Sequence, residues 1–575
     1  MSETVVMSQK TEISGAGVVL EKLIQKGVTT VFGYPGGAVI PLYHEWVNYK
    51  SALEHFRTSD EQHAVHAADG YARATGKVGV CFVTSGPGAT NTVTGIATAF
   101  MDSIPMVIIS GQVPSHLIGK DAFQEVDITS MTVAITKHNF LVHSAESLES
   151  VLEKAFEIAC EGRPGPVLVD IPKDFLIQKM PKNLPKAFDS QNTAQNSFSK
   201  DVMRSYEYGE LEEPLSKDEQ QLIQWINEAQ RPLIYCGGGV KLSHGERALL
   251  ALAEQMDCPV IHSLMGLGCI SRKHRLSIGM AGMHGCRTAN EAINKCDLLL
   301  AIGVRFSDRV IGNPETFDIA AKIVHIDLDP MEHHKNLKVE LTISADAKKI
   351  MRKINPYIKK KIRTDWLDSL EKIGFENPQE SSVDWIFNCI NEADDGNTVY
   401  ATDVGQHQMW SAQKLCIQNS RNWISSGGLG TMGFGLGAAI GAKIGKPEKS
   451  VMLITGDGSF GMNFQELITL MDYDLKVDIV LFDNRSLGMV KQWQTLFQNK
   501  IYAETEISGK IDYESLAKAF GLMSYKAFDA TGLKEALNAS KFEKRSTLTI
   551  VSVPNDEHVF PIVPPGRGLE KALYK

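Results

Sequence analysis

The sequence predicts an α/β fold of three doubly wound parallel sheets, on three observations. Its 575 residues exceed what one hydrophobic core supports and suit three domains of ordinary size. Short apolar runs that read as strands alternate with helical patterns along almost the whole chain, as parallel sheets require. Two polar stretches interrupt the alternation. Residues 181–217, "PKNLPKAFDSQNTAQNSFSKDVMRSYEYGELEEPLSK", are Pro-punctuated and aperiodic. Residues 348–380 form a Lys-rich amphipathic connection whose charged face is expected to be solvated. The expected domains are 1–182, 216–350 and 380–575.

In the first segment, "LEHFRTSDEQHAVHAADGYARATG" reads as a strand ending near Ser59, a cap at Asp60, and a helix running through Arg73 with Glu61 in its first turn. The helix dipole stabilises acids there, so position alone leaves Glu61 as either a helix-start acid or a functional group. His63 and His66 have no third ligand nearby and read as structural. The loops "FGYPGGAV" (32–39) and "TSGPGATN" (84–91) each follow a β-rich run. Such loops serve either close approach of backbone to a ligand or a purely structural turn.

The central segment carries "LIYCGGGV", "LMGLG", "GMHG" and "IDLDP". Its triple glycine, 237–239, follows a strand, but Leu242 breaks the G-x-G-x-x-G dinucleotide pattern.

In the third segment, "SVMLITGDGSFGMNFQELITLMDYDLKVDIVLFDNRSLGMV" reads as a βαβ unit. Residues 451–454 and 477–482 are apolar runs of strand length, and Phe464, Leu467, Ile468 and Met471 repeat at helical spacing. Parallel strands place their carboxyl ends on one edge, so Asp457 and Asn484 converge. Their oxygens suit a hard cation such as Mg²⁺. Gly456 and Gly458 allow the backbone to approach a diphosphate, whose charge the next helix N-terminus favours. An ordinary tight turn is the competing explanation for GDGS alone; Asn484 at the next strand end argues against it.

Composition excludes several classes. Charged residues make up 22% and the net charge is -9, so no basic face for nucleic acid is expected. Nine cysteines are scattered without a CxxC pair and read as reduced thiols. No targeting pattern opens the chain and no run approaches the ~20 apolar residues of a membrane span, which leads to a cytoplasmic expectation.

Beyond these readings, "GYPGGAV", "DEQHAVHAADGYARATGKVGV", "TSGPGATN", "MDSIPMVIISGQVP", "DAFQE", "GRPGPVLVDIPKD", "LMGLG", "GMHG", "GVRF", "VGQHQMW", "GGLGTMGFGLGAAIGA", "GDGSF" and "LGMVKQWQ" occur in one order across residues 15–565. The set closely resembles the catalytic subunits of the acetohydroxyacid synthase (acetolactate synthase) family, which use thiamine diphosphate. The resemblance implies an aminopyrimidine-binding domain, a central FAD-binding domain and a diphosphate-binding domain. It implies Mg²⁺ held by Asp457, Asn484 and the carbonyl of Ser486. Gly405, Gln406, His407, Gly456, Gly458, Ser459, Gly488 and Met489 match positions around the cofactor. Glu61 matches the catalytic glutamate that contacts the aminopyrimidine, and Met432 the residue that keeps the cofactor bent. Phe123, Gln124, Lys173 and Arg309 match residues along the substrate approach, with Arg309 expected as a buried cation facing a carboxylate. Trp493 matches a residue that favours 2-ketobutyrate over pyruvate; by periodicity it shares a face with Met489, Val490 and Phe497 and could equally be core. Arg163, Leu264, Met265, His284, Gly285, Arg305 and Asp327 match the site of a structural, non-redox FAD.

The implied reaction decarboxylates pyruvate and joins the two-carbon unit to a second pyruvate or to 2-ketobutyrate, giving 2-acetolactate or 2-aceto-2-hydroxybutyrate for branched-chain amino acids. The resemblance also implies a homodimer or dimer of dimers and a possible separate small regulatory subunit. "GFGLGA" at 433–438 fits a loose dinucleotide pattern, but the family gives that loop to thiamine diphosphate. Ser307 and Gly437 depart from the usual Asp and Pro of the family. Rival readings are a catabolic acetolactate synthase without FAD, a pyruvate oxidase or related decarboxylase, and a flavin or nicotinamide oxidoreductase. "GYPGG", "AFQE" and Trp493 favour the biosynthetic enzyme, and Asp457 with Asn484 disfavours the oxidoreductase.

Overall fold

A computed structural model of the chain describes residues 12–182, 214–317, 319–376 and 381–574. The described residues form two compact units, those within 1–72 and 77–211, and those within 73–76 and 212–575.

In the first unit the strands are β1 (Glu12–Ser14), β2 (Thr30–Gly33), β3 (Glu54–Arg57), β4 (Gly79–Val83), β5 (Met106–Gln112), β6 (His138–Leu141), β7 (Pro166–Pro172) and β8 (Lys179–Pro181). Six of them make a parallel sheet in the order β3-β2-β4-β5-β7-β6. The remaining pair, β1 and β8, is antiparallel, a small addition that three-residue strands did not announce in the sequence.

The second unit holds two more six-stranded parallel sheets. One contains β9 (Pro232–Cys236), β10 (Val260–His262), β11 (Ser277–Met280), β12 (Leu298–Ile302), β13 (Lys322–Asp327) and β14 (Leu341–Ser344), in the order β11-β10-β9-β12-β13-β14. The other contains β15 (Val399–Thr402), β16 (Trp423–Ile424), β17 (Val451–Gly456), β18 (Asp478–Asp483), β19 (Met523–Ala527) and β20 (Thr547–Ser552), in the order β16-β15-β17-β18-β20-β19.

Continuous apolar runs form these strands because both faces are covered. Along β12, Leu298, Leu300 and Ile302 enter one core while Leu299 and Ala301 enter another. In the third sheet Leu453 and Ile479 enter one core, Ile454 and Val480 the other. Each sheet has a reversal of winding near its middle, between β2 and β4, between β9 and β12, and between β15 and β17; the first and third sheets turn back again at one edge, where β7 and β20 lie inside β6 and β19. Ligands of open α/β sheets bind outside the carboxyl ends at such reversals.

One expectation holds and one needs correction. The Lys-rich stretch after 348 keeps Lys349, Arg352, Lys359 and Lys360 exposed, and its other face is bound into the second unit: Arg363 is buried, its amide donates to Asp257 Oδ2 at 2.7 Å, and its guanidinium reaches the Met256 and Ala229 carbonyls. Trp366 and Leu370 of the same stretch enter the core. Between β17 and β18 the helical pattern breaks into Asp457–Phe460, a 3-10 turn Phe464–Glu466 and Leu467–Asp472. Leu467 and Leu470 are buried there, whereas Ile468 and Met471 are exposed, because the 3-10 turn resets the phase of the face. Most of the expected first linker, 183–213, lies outside the described residues.

Candidate active site

The third sheet's reversal carries the densest set of expected site residues. β17 and β18 pair in parallel up to Gly456 and Phe482, so Asp457 and Asn484 follow neighbouring strand ends. Asp457 opens a one-turn helix, its Oδ1 accepts from the Gly458 amide at 2.8 Å, and its Oδ2 is buried with no hydrogen-bond partner among the described residues. Burial pushes its carboxyl up to about 7, with Asp483 adding to the effect and the amides of Gly458, Arg485 and Ser486 opposing it.

Asn484 sits in a turn closed by Arg485 at φ 53°. That left-handed residue lets the Ser486 amide return to Asn484 Oδ1 at 3.0 Å, while Asn484 Nδ2 donates to Gln406 Oε1 at 3.3 Å. Gln406 Nε2 donates to Gln492 Oε1 at 3.1 Å and to the Glu557 carbonyl at 2.8 Å. Gly488 closes the arrangement, since a Cβ there would collide with Gln406 Oε1 and stand 2.6 Å from Asn484 Nδ2.

Across the reversal, the His407 ring lies against two bare backbones: a Cβ on Gly405 would meet its Cε1 at 2.9 Å, and one on Gly456 its Nδ1 at 2.8 Å. Burial holds this imidazole down to about 3, so it is neutral. Ser459 Oγ donates to the Val404 carbonyl at 3.0 Å. The Met432 methyl lies 3.6 Å from a Cβ position on Gly458, and Met489 packs on the core behind.

This set fits a hard dication with a diphosphate. An ionisable oxygen is buried without a partner, an amide oxygen follows the neighbouring strand end, and the intervening backbone is bare of side chains. Sequence reasoning missed Gln492 and Asp403. Gln492 is tied to Val559 in both directions and fixes Gln406. Asp403, fully buried, accepts from the Gly435 amide and from Thr455 Oγ1 and so binds the 433–435 loop to the strand ends. An Asp directly after an apolar strand in "YATDVG" was the available signal.

At the second sheet's reversal, a Cβ on Gly239 would stand 2.6 Å from Gly303 Cα, and one on Gly238 3.1 Å from Met265 Cβ. Leu264 and Met265, Arg305, and Asp327 follow or end β10, β12 and β13, so the structure gathers them along one edge. His284 and Gly285 follow β11 there; His284 Nδ1 donates to the Pro561 carbonyl at 3.1 Å, and burial holds the ring down to about 4. The Arg309 guanidinium lies 5.9 Å from the Trp493 ring centroid and 3.5 Å from Met283 Sδ. Arg309 differs from expectation: its side chain is 61% exposed in this chain, because the short helix Asp308–Ile311 turns it outward. Trp493 is half-buried and stacks edge-on with Phe497 at 5.5 Å, while Val490 of the expected shared face is exposed.

In the first unit, Asp60 Oδ1 caps the helix Glu61–Thr75 by accepting from the His63 amide, and it also engages the His63 ring. Glu61 is 9% exposed, and its Oε2 accepts from Asn91 Nδ2 at 2.9 Å. Asn91 was quoted in its loop but not singled out. The loop after β4 brings distant residues together: a Cβ on Gly88 would stand 3.0 Å from Glu61 Oε1, and one on Gly86 2.9 Å from Gln124 Cα. Gln124 holds φ 59°, and Phe123 beside it is 89% exposed. Lys173 follows β7 on the same carboxyl edge. Arg163 instead precedes β7, on the opposite edge, where its Nε donates to Ser103 Oγ at 2.8 Å. The structure therefore does not gather Arg163 with the other expected residues of this unit.

Three parts of the sequence match descriptions of thiamine pyrophosphate enzymes: the N-terminal TPP binding domain over residues 13–131, the central domain over 220–354, and the C-terminal TPP binding domain over 403–552. A probable acetolactate synthase large subunit of Methanocaldococcus jannaschii is 42% identical across 97% of this chain and 94% of its own length. The acetolactate synthase isozyme 2 large subunit of Escherichia coli is 41% identical across 98% of this chain and its own full length. An acetolactate synthase large subunit of Haemophilus influenzae is 39% identical across 98% of both.

Proposed function

The chain belongs to the acetolactate synthase large-subunit family of thiamine diphosphate enzymes, and from that premise we propose how its residues make acetolactate for branched-chain amino acid synthesis. The observation that carries the reading is the buried Asp457 Oδ2, without a hydrogen-bond partner among the described residues, on the strand end beside Asn484 and within the matched C-terminal TPP binding domain.

Asp457 and Asn484, with the Ser486 carbonyl, would hold Mg²⁺ and so anchor a diphosphate. Gly456, Gly458 and Gly488 leave room for it, and Gln406 keeps Asn484 aimed. Thiamine diphosphate, when bound, supplies the carbon that adds to a keto group and takes up the electrons that CO₂ leaves behind. In the proposed homodimer Asn91 fixes Glu61 Oε2, which would leave Oε1 to hold or pass a proton to a ring nitrogen of the cofactor that the partner subunit holds. Met432, beside Gly458, would help to hold the cofactor bent. Phe123, Gln124 and Lys173 line the approach of pyruvate. Arg309 takes the carboxylate of the second 2-keto acid, and Trp493 supplies apolar contact to its side chain. Leu264, Met265, His284, Gly285, Arg305 and Asp327 would hold a structural FAD.

The same reading includes three domains (1–182, 216–350 and 380–575) and a cytoplasmic homodimer or dimer of dimers. The relatives are named large subunits, which supports a separate small regulatory subunit. Among the described residues no helix is long and apolar enough to cross a membrane. The test is incubation of purified protein with pyruvate, thiamine diphosphate, Mg²⁺ and FAD. Acetolactate as the product, with bound flavin in the spectrum, supports the reading; acetaldehyde or acetyl phosphate, or full activity without flavin, rejects it.

A further inference from the structure

At the amino-terminal edge of the third sheet a cavity of ≈ 560 Å³ opens among Val399 at the start of β15, residues that precede β16 and β17, and the helix Glu246–Met256. The six residues of β17 separate this edge from the cofactor loops by about 20 Å. Its lining is cationic. Arg247, Arg421, Lys446 and Lys449 face it, and Glu246 is the single acid among the described lining residues. Glu246 already accepts from Ser420 Oγ. The cations are held by neutral partners, which leave their charge in place: Arg421 donates to the Arg73 carbonyl at 3.1 Å and approaches the His244 ring, and Lys449 donates to Asn422 Oδ1 at 2.8 Å.

The surroundings register the excess. Burial holds Arg421 and Lys449 below their ordinary ranges. Lys241, buried nearby on the Trp423 carbonyl, is pushed down to about 7 by burial and then by Arg421 and Arg73. Four cations around one cavity against the single carboxylate of Glu246, which itself acts on Arg421, leave an excess of positive charge that an anion relieves. A monocarboxylate leaves most of this charge unbalanced. Inorganic phosphate balances more but leaves much of the volume empty, and Leu250 and Val399 give the cavity an apolar wall. Ammonium groups and a guanidinium together suit phosphate oxygens.

We propose that this cavity is a second ligand site, separate from the cofactor site, for a small organic phosphate ester. The phosphate meets Arg421, Lys446 and Lys449, and the carbon skeleton lies against Leu250 and Val399. The test is calorimetric titration of the holoenzyme, saturated with thiamine diphosphate, Mg²⁺ and FAD, with ribose 5-phosphate and with adenosine 5′-monophosphate. Inorganic phosphate and pyruvate serve as controls. At least one ester should bind once per chain and more tightly than either control. The Lys446→Ala/Lys449→Ala double variant should weaken that binding by ~10-fold or more, as should Arg247→Glu on the exposed rim, with basal activity unchanged. Failure of both esters to bind, binding no tighter than pyruvate, or equal binding to both variants overturns the proposal.

Discussion

The guanidinium of Arg309 stands over the indole of Trp493 at 5.9 Å from the ring centroid, joining the short helix Asp308–Ile311 to the helix Gly488–Phe497 that follows the Asn484–Ser486 turn. The pair sits where the helix carrying Trp493 meets the core of the second sheet. A cation and an apolar ring face are thereby set side by side, the pair that the proposed function uses to select between two 2-keto acids.

Arg309→Lys tests the first half of that pair. Lysine keeps the charge but loses the planar fork, and it stacks less well on the indole. The expected outcome is a KM for the second 2-keto acid raised by ~10-fold or more while CO₂ release from the first pyruvate persists. Equal loss of both steps would remove Arg309 from acceptor binding.

Asp457→Asn separates metal binding from stability. In the metal-free protein the carboxyl titrates at about 7, above its unfolded value of about 3.9. The folded state therefore keeps a proton that the unfolded chain has released, and metal-free stability falls as pH rises from about 4 to 7. Asparagine removes that loss. The variant without Mg²⁺ should melt at a higher temperature than the parent at pH 8, with the difference vanishing toward pH 4. Mg²⁺ should raise the parent's melting temperature more at pH 8 than at pH 5.5, and activity of the variant should fall at least ~10²-fold. A parent whose metal-free melting temperature is flat across this range contradicts the buried-carboxylate account.

Asp457 and Asn484 were legible because they depend on two local facts, the length of an apolar run and the parallel pairing of neighbours. The three sheets were legible for the same reason. What escaped the sequence depends on partners far along the chain. Gln492 matters through Gln406 and Val559, and Arg363 is buried because Asp257, Met256 and Ala229 meet it. Neither leaves a periodic trace. The exposure of Arg309 was misjudged since a short helix set its direction, and Ile468 and Met471 lost their expected face to a 3-10 turn.

Glu61→Gln keeps the size of the side chain, and its amide oxygen can still accept from Asn91. The fold should persist while the rate falls on the order of 10² or more, as when a positioned acid–base group is removed. Hydrogen exchange at the thiazolium carbon of bound cofactor, followed by NMR, reads the step directly. Exchange as fast as in the parent returns Glu61 to the role of a helix-start acid. Asn91→Ala should give a smaller loss and an altered pH–rate profile, since it frees Oε2 without removing the carboxylate.

Gly488→Ala is the sharpest probe of the metal site because it removes no polar group. The added methyl would collide with Gln406 Oε1 and stand 2.6 Å from Asn484 Nδ2, the two atoms whose hydrogen bond aims the Asn484 oxygen. Gln406 cannot simply withdraw, since its Nε2 is held by Gln492 and the Glu557 carbonyl. Asn484 is the partner that must move. The Mg²⁺ concentration for half-maximal activation should therefore rise by ~10-fold or more, equivalent to about 1.4 kcal/mol of lost binding. Trp493→Leu, further along the same helix, should leave that concentration unchanged and instead lower the proportion of 2-aceto-2-hydroxybutyrate formed when pyruvate and 2-ketobutyrate compete. An unchanged Mg²⁺ requirement in Gly488→Ala would mean that Asn484 is aimed by its strand end alone, without Gln406.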